Sequence, residues 1–197
     1  MSDMRSWVVF GIMLAVLGGC GSPRTNIYSL YMAGDQAVPS RAAVADLAVH
    51  SRAPRYLSQP YIACRTSPYQ LEISPYSKWV ASPEEMVRDA FREKFAASGL
   101  FREVRSSSSV AAGSYLLEID LKRFERIDLP AGAFAELLFD YSFFSPEGKE
   151  LARGVVSKKV LLADSSLLEL AKSLSTALSD GIDEVRAAVE KALAGGN

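Results

Sequence analysis

The sequence has few of the residues from which most reactive and cross-linked sites are built. Its 197 residues include two cysteines, Cys20 and Cys64, and one histidine, His50. Two cysteines allow one disulfide at most, which is no disulfide framework. One histidine leaves any His-based metal site dependent on distant carboxylates, and no H-E-x-x-H or C-x-x-C spacing occurs. There is no G-x-S-x-G nucleophile elbow and no glycine loop suited to a phosphate. A formal net charge of −1 gives no basis for nucleic-acid binding.

Long apolar runs are also absent. Trp7 to Leu17, "WVVFGIMLAVL", is 11 residues without a charge. As a helix it would span about 17 Å, against about 30 Å of hydrocarbon in a bilayer. It is too short for an ordinary transmembrane helix and suits the apolar region of a secretory signal. The run ends in "LGGCGS", Leu17 to Ser22. Leu-Gly-Gly-Cys resembles a lipobox, the processing site of bacterial lipoprotein precursors. That resemblance implies a diacylglyceryl group on the Cys20 thiol and a cut between Gly19 and Cys20. Residues 1–19 are then a signal peptide, and residues 20–26 are the lipidated cysteine with a short linker. Residues 27–197 form one globular domain. Two or more acyl chains anchor stably where one does not. Gly21 stands where an Asp would favour inner-membrane retention in enteric-type bacteria, which implies the outer membrane.

Removing 19 residues from 197 leaves 178, which fits one domain with a sizeable core. With Cys20 lipidated, Cys64 has no internal partner. In "YIACRTS" it reads as a thiol buried on a strand, with an intermolecular disulfide as the lesser alternative.

Strands are expected at Ile27–Met32 and Val44–Val49. Tyr61–Thr66 and Gln70–Ile73 should pair around the turn signal "SPY". The first helix is well marked. Ser82 is its N-cap, Pro83 its first position, Glu85 completes a capping box and Gly99 stops it. Val87, Ala90, Phe91 and Phe95 form its apolar face. A short strand in "LFREVR" and a loop in "SSSSVAAG" follow. Tyr115, Leu117, Ile119 and Leu121 alternate with Glu118, Asp120 and Lys122, the pattern of a half-buried strand. Phe134–Phe144, the turn "SPEGKE" with Gly148, and Leu151–Leu162 complete an antiparallel meander.

A long helix, Ser165–Leu193 with Asp164 as cap, buries Leu167, Leu170, Leu174, Leu178, Ile182, Val185 and Val189. Gly181 predicts a bend or break there. The expected fold is α+β: a mostly antiparallel β-sheet with two helices, near 83–98 and 165–193, packed on it.

The chain offers no constellation for catalysis, so a non-enzymatic role without a cofactor, apart from the covalent lipid on Cys20, is expected. Ser106 to Ser109 read as a solvated loop, Glu84-Glu85 as helix-dipole partners, and Glu118 with Asp120 as a solvated or partner-facing strand face. Arg55 to Trp79, "RYLSQPYIACRTSPYQLEISPYSKW", interleaves Tyr56, Tyr61, Tyr69, Tyr76 and Trp79 with Arg55 and Arg65. Aromatics with arginine mark binding hot spots. Trp79 and Tyr61 are assigned to the core, and Tyr56, Arg65 and Tyr76 to partner contact.

The same segment carries a wider resemblance. "YSLY" lies soon after the lipobox. Tyr56, Leu57, Pro60, Ile62 and Arg65 then match a "Y-L-x-x-P-x-I-x-x-R" stretch, and Trp79 precedes the first helix. This is similar to the ABC-type transport auxiliary lipoproteins, the PqiC- and YmbA-like family. That resemblance implies an accessory to MCE-domain systems that move lipids or other hydrophobic molecules. It would dock the periplasmic MCE protein at the outer membrane, facing the periplasm. The ring shape of MCE assemblies adds a homo-oligomer to the expectations. Two alternatives stay open: a lipoprotein that itself binds a lipid or small apolar ligand between sheet and helices, and an assembly lipoprotein that partners an outer-membrane barrel.

Replacing Cys20 by Ser is expected to release or mislocalise the protein while leaving its circular dichroism spectrum unchanged. Normal outer-membrane fractionation of that variant would rule out the anchor.

Overall fold

The computed structural model describes residues 24–32, 45–106 and 112–195. In chain order its elements are β1 (Asn26–Tyr28), β2 (Leu47–Arg52), β3 (Tyr61–Ser67), β4 (Gln70–Trp79), α1 (Pro83–Ser98), β5 (Val104–Ser106), β6 (Tyr115–Leu129), β7 (Gly132–Phe144), β8 (Glu150–Leu161) and α2 (Leu167–Gly195). The strands form one sheet. Both helices pack on the same face of it, and the core lies between them and the sheet.

The meander β6-β7-β8 forms as expected, with long antiparallel ladders. Gly148 turns β7 into β8 at φ 82°, a left-handed conformation that glycine adopts without steric cost. The other strands join mainly in parallel, which periodicity does not reveal. β2 and β3 follow one another along a single edge of β6. β2 pairs with Tyr115–Asp120, and β3 pairs with Arg126 and Ile127. β4 folds back antiparallel on β3, β1 adds to β4 in parallel, and β5 adds to β2 in parallel. The antiparallel ladders still carry most of the paired positions.

α1 ends where its caps dictate. The Glu85 N–H donates to Ser82 Oγ at 3.2 Å, and the Ser82 N–H donates to Glu85 Oε2 at 3.1 Å. Gly99 terminates it in the left-handed region, at φ 71°. Its hydrogen bonds from Ser82 hold the Glu85 carboxyl below the ordinary glutamate range. Val87, Ala90, Phe91 and Phe95 are buried as expected, and Phe91 meets Phe139 edge-on at 5.6 Å. Edge-to-face contacts of this kind suit the aromatic quadrupole.

Several boundaries move. β1 is only three residues long. β2 starts at Leu47 and runs to Arg52, later than expected. The leader, Cys20, Val44, the 33–42 loop and Ser107 to Ser109 lie outside the described residues. α2 starts at Leu167. Its cap is Ser166, whose hydroxyl accepts from the Glu169 N–H at 3.1 Å, while Asp164, two residues before the cap, accepts from the Ser166 N–H at 2.7 Å.

No break occurs at Gly181, because α2 is continuous through it. A Cβ there would lie 3.0 Å from Val156 Cγ1 and 3.3 Å from Phe139 Cε1. The glycine lets the helix press onto β7 and β8. The expected stripe from Leu170 to Val189 is buried, with Leu167 at its edge.

Gly181→Val is expected to destabilise the domain by about 1–3 kcal/mol through overpacking. Gly181→Ala should stay within about 1 kcal/mol of the parent, because a helix-propensity gain of about 1 kcal/mol opposes the crowding. Urea midpoints of the two variants check this.

Candidate functional site

β2 and β3 share one edge of β6, so a gap opens between their pairing segments. The loop 53–60 bridges it. Leu57 in this loop is fully buried, and its carbonyl accepts from the Glu84 N–H at 3.1 Å, which ties the loop to the start of α1.

A bulge in β6 falls at the same level. The register with β7 shifts between Leu121 and Arg123. Before the bulge Leu117, Ile119 and Leu121 face the helices, and after it Phe124 does. A β-bulge re-aims the side chains beyond it. This one turns Glu125 to the opposite face, where it is 1% exposed. A buried carboxylate is costly unless paired and hydrogen-bonded.

Two residues expected at a partner surface provide the pairing. Arg65 Nε donates to Glu125 Oε1 at 2.6 Å, and Arg65 Nη2 donates to Oε2 at 3.2 Å, a bidentate geometry. The Tyr56 hydroxyl lies 3.0 Å from Glu125 Oε2 and 3.2 Å from the Lys122 carbonyl, a group in the gap between the β2 and β3 pairings. Burial, and then the Glu125 charge, raise the Tyr56 phenol far above the ordinary tyrosine value. The hydrogen bond to Glu125 likewise raises Arg65.

Tyr76 is not part of this cluster. Between Ala63 opposite Ile73 and Tyr61 opposite Lys78, β4 carries extra residues that bulge outward, Pro75 and Tyr76 among them. Proline belongs at such a bulge because it has no N–H to pair. Tyr76 is 53% exposed there, and Tyr69 at the hairpin tip is 99% exposed. Trp79 is buried as expected and meets Phe124 edge-on at 5.5 Å. Tyr61, expected beside it in the core, is instead 43% exposed, because strand alternation puts it on the other face. Cys64 is half-buried and unpaired, and burial pushes its thiol up.

The sheet face away from the helices is charged in rows. Asp120 and Asp140 stand directly opposite each other, with Lys122 Nζ 2.6 Å from the first and 3.7 Å from the second. Arg52 adds a contact to Asp120 at 2.7 Å. Burial pushes the Asp120 carboxyl up, but its hydrogen bonds from Lys122 and Arg52 outweigh this and hold it low. Glu125 and Glu136 also face one another, and Arg123 reaches Glu136 at 2.7 Å. His50 lies opposite Glu118. Among the described residues no three His, Cys, Asp or Glu side chains gather as they would around a metal ion.

An open groove of about 460 Å³ lies at the β7–β8 end, between Tyr141, Lys149, Leu151, Arg153, Ala188 and Lys191. Among the described residues no helix is long and apolar enough to cross a membrane.

Fold and site together define a class: an α+β domain with one sheet, both helices on one face, and a charged, helix-free face opposite. The chain belongs to the family of ABC-type transport auxiliary lipoprotein components, whose model matches residues 28–185. It is similar to the crystal structure of protein XCC0632 from Xanthomonas campestris, assigned to DUF330. That likeness has a TM-score of 0.69 and 21% identity, and covers 81% of this chain and 92% of that one. A crystal structure of an uncharacterised protein is similar at a TM-score of 0.66 and 14% identity, covering 83% and 98%. These two likenesses show the fold. The PelC dodecamer from Paraburkholderia phytofirmans is more distant, with a TM-score of 0.42 and 14% identity over 76% of this chain and 94% of that one. No curated protein sequence matches the chain.

Glu125→Ala is expected to cost about 3 kcal/mol, since it leaves the Arg65 guanidinium without its carboxylate and Tyr56 with the Lys122 carbonyl alone. Tyr56→Phe should cost about 1 kcal/mol. The phenol is raised in the fold, so its contribution is complete below the unfolded value of about 10 and is lost as pH climbs past it. Urea midpoints of parent and Tyr56→Phe should therefore stay evenly separated below about pH 9 and converge as pH rises above about 10, and a separation that stays constant at the higher pH would contradict the assignment.

Proposed function

We propose that the chain is a non-catalytic outer-membrane lipoprotein that docks the periplasmic protein of an MCE-type ABC transport system moving lipids or other hydrophobic molecules. The family match over residues 28–185 carries this reading. Residues 1–19 are removed, Cys20 holds the lipid, residues 20–26 link it to the domain, and the domain from residue 27 faces the periplasm. Gly21 after the cysteine supports the outer membrane. The absence of a nucleotide-binding motif from the sequence suits an accessory that relies on a separate ATPase.

Tyr76, on its exposed bulge, is the partner contact of this reading. Arg65 and Tyr56 support that contact from beneath by holding β3 to β6 through Glu125. A homo-oligomer would match a ring-shaped partner.

The groove beside Tyr141 and Leu151 supports a second reading, in which the domain itself holds an apolar ligand. Its opening to solvent and its Lys149, Arg153 and Lys191 make it a poorer apolar site than an enclosed pocket.

Affinity purification of the anchored protein from membranes is expected to recover an MCE-domain protein, and Tyr76→Ala should lower that recovery severalfold. Recovery of unrelated partners alone, with the anchor intact, would overturn the docking role. A stoichiometric lipid in native mass spectrometry of the unlipidated chain would favour the second reading.

A further inference from the structure

The β1 edge of the sheet brings exposed aliphatic, aromatic and basic residues together close to the start of the domain. β1 pairs only with the last three residues of β4, placing Ile27 beside Lys78 and Tyr28 beside Trp79. Trp79 is buried and Tyr28 packs on the core, so alternation turns Ile27 and Lys78 to the other face. From the far side of β4, Tyr61 stands opposite Lys78. Ile27, Lys78 and Tyr61 thus form one row across three strands. Ile27 is 62% exposed and Tyr61 is 43% exposed. Val80, whose N–H donates to the Tyr28 carbonyl at 2.8 Å, adds a residue 63% exposed. Arg24, just before β1, is exposed as well.

This patch lies where the chain leaves its anchor. Six residues, 21–26, separate Cys20 from Ile27, and they reach about 20 Å at most when extended. Peeling β1 away would lengthen the tether, but β1 and the residues just after it are held at two points. Its ladder to β4 is one hold, and the Tyr31 N–H, donating to Ser175 Oγ of α2 at 3.1 Å, is the other. The domain cannot lift this edge far from the bilayer without losing those contacts.

The residue types fit that position. Short aliphatic side chains enter the acyl boundary, tyrosine settles at the headgroup level, and Lys and Arg attract anionic lipid.

We infer that the β1 edge, through Ile27, Tyr61, Lys78 and Val80, lies on the lipid surface of the membrane that carries the anchor. This rests on the lipid-anchor reading above and fixes the orientation of the domain. The β3–β4 hairpin then runs away from the membrane and carries Tyr69 at its tip into the periplasm.

The test uses the lipidated protein on vesicles of phosphatidylethanolamine and phosphatidylglycerol, some with brominated acyl chains. Tryptophan is placed in turn by Ile27→Trp, by Val80→Trp, and by Val155→Trp at a site 65% exposed on β8. The native Trp79 is buried and common to all three. Bromolipid is expected to quench the added emission at 27 and 80 at least twofold and to leave that at 155 nearly unchanged. Equal quenching at all three sites, or none at 27 and 80, overturns the inference.

In the parent protein, labelling of Lys78 by a water-soluble acylating reagent should slow severalfold on vesicles, while that of Lys149 stays constant. Equal rates at both lysines also overturn the inference. Flotation of the vesicles separates the two failures. Protein that floats without quenching refutes the orientation alone. Protein that does not float refutes the anchor reading and the orientation with it.

Discussion

Glu125 is buried on the helix-free side of the sheet, where an unpaired carboxylate would cost several kilocalories per mole. Its bonds to Arg65 and Tyr56 offset that cost, reinforce the short β3–β6 pairing and tie the 53–60 loop to β6. β6 offers one edge to two strands, so a stretch between β2 and β3 has no strand beside it. Arg65 holds β3 to β6 below that gap. Tyr56 covers a carbonyl within it, and the neighbouring Leu57 ties the same loop to α1. β4 and β1 hang on β3 in turn. The bidentate contact and the shared hydroxyl therefore reinforce a short backbone ladder through which the β3–β4 hairpin and β1 join β6.

With both helices on one face, the other face has to be soluble or covered. It is covered by charge. Carboxylates stand opposite carboxylates at Asp120–Asp140 and Glu125–Glu136, an arrangement that would repel if left alone. Lys122, Arg52, Arg123 and Arg65 are interleaved with them. Pairs on the exposed part of this face contribute little stability each. What they set is a face that neither helix can occupy, which directs α1 and α2 to the same side. The outer edge of β8, long and otherwise open to another strand, carries Arg153, Lys158 and Lys159, and charge on an edge discourages unwanted pairing.

Much of this was legible residue by residue. Ser82, Pro83, Glu85 and Gly99 mark α1 because capping is local chemistry. The meander is legible because its strands are adjacent in sequence and joined by a turn. Tyr56 and Arg65 stand out as a pair from composition alone, yet Glu125, sixty residues after Arg65, does not. A signal for it exists. The apolar alternation of β6 changes phase, from Leu121 to Phe124, across "LKRF". That phase change is the bulge, and it is what exposes Glu125 to Arg65. Gly181 misled for the opposite reason. Read locally it is a weak point in a helix, but its function is to admit Val156 and Phe139.

The sequence by itself determined the helix ends, the meander, the apolar stripes that form the core, and the anchor motif on which the lipid reading rests. Each depends on residues within a few positions of one another, where backbone sterics and short-range hydrogen bonds act. Tertiary structure alone decided the parallel joining of β2 and β3 to β6, the face on which Tyr61 lies, the role of Gly181 and the burial of Glu125. Those depend on which distant strand supplies the neighbouring edge, and that is settled only when the long-range ladders and the core close together.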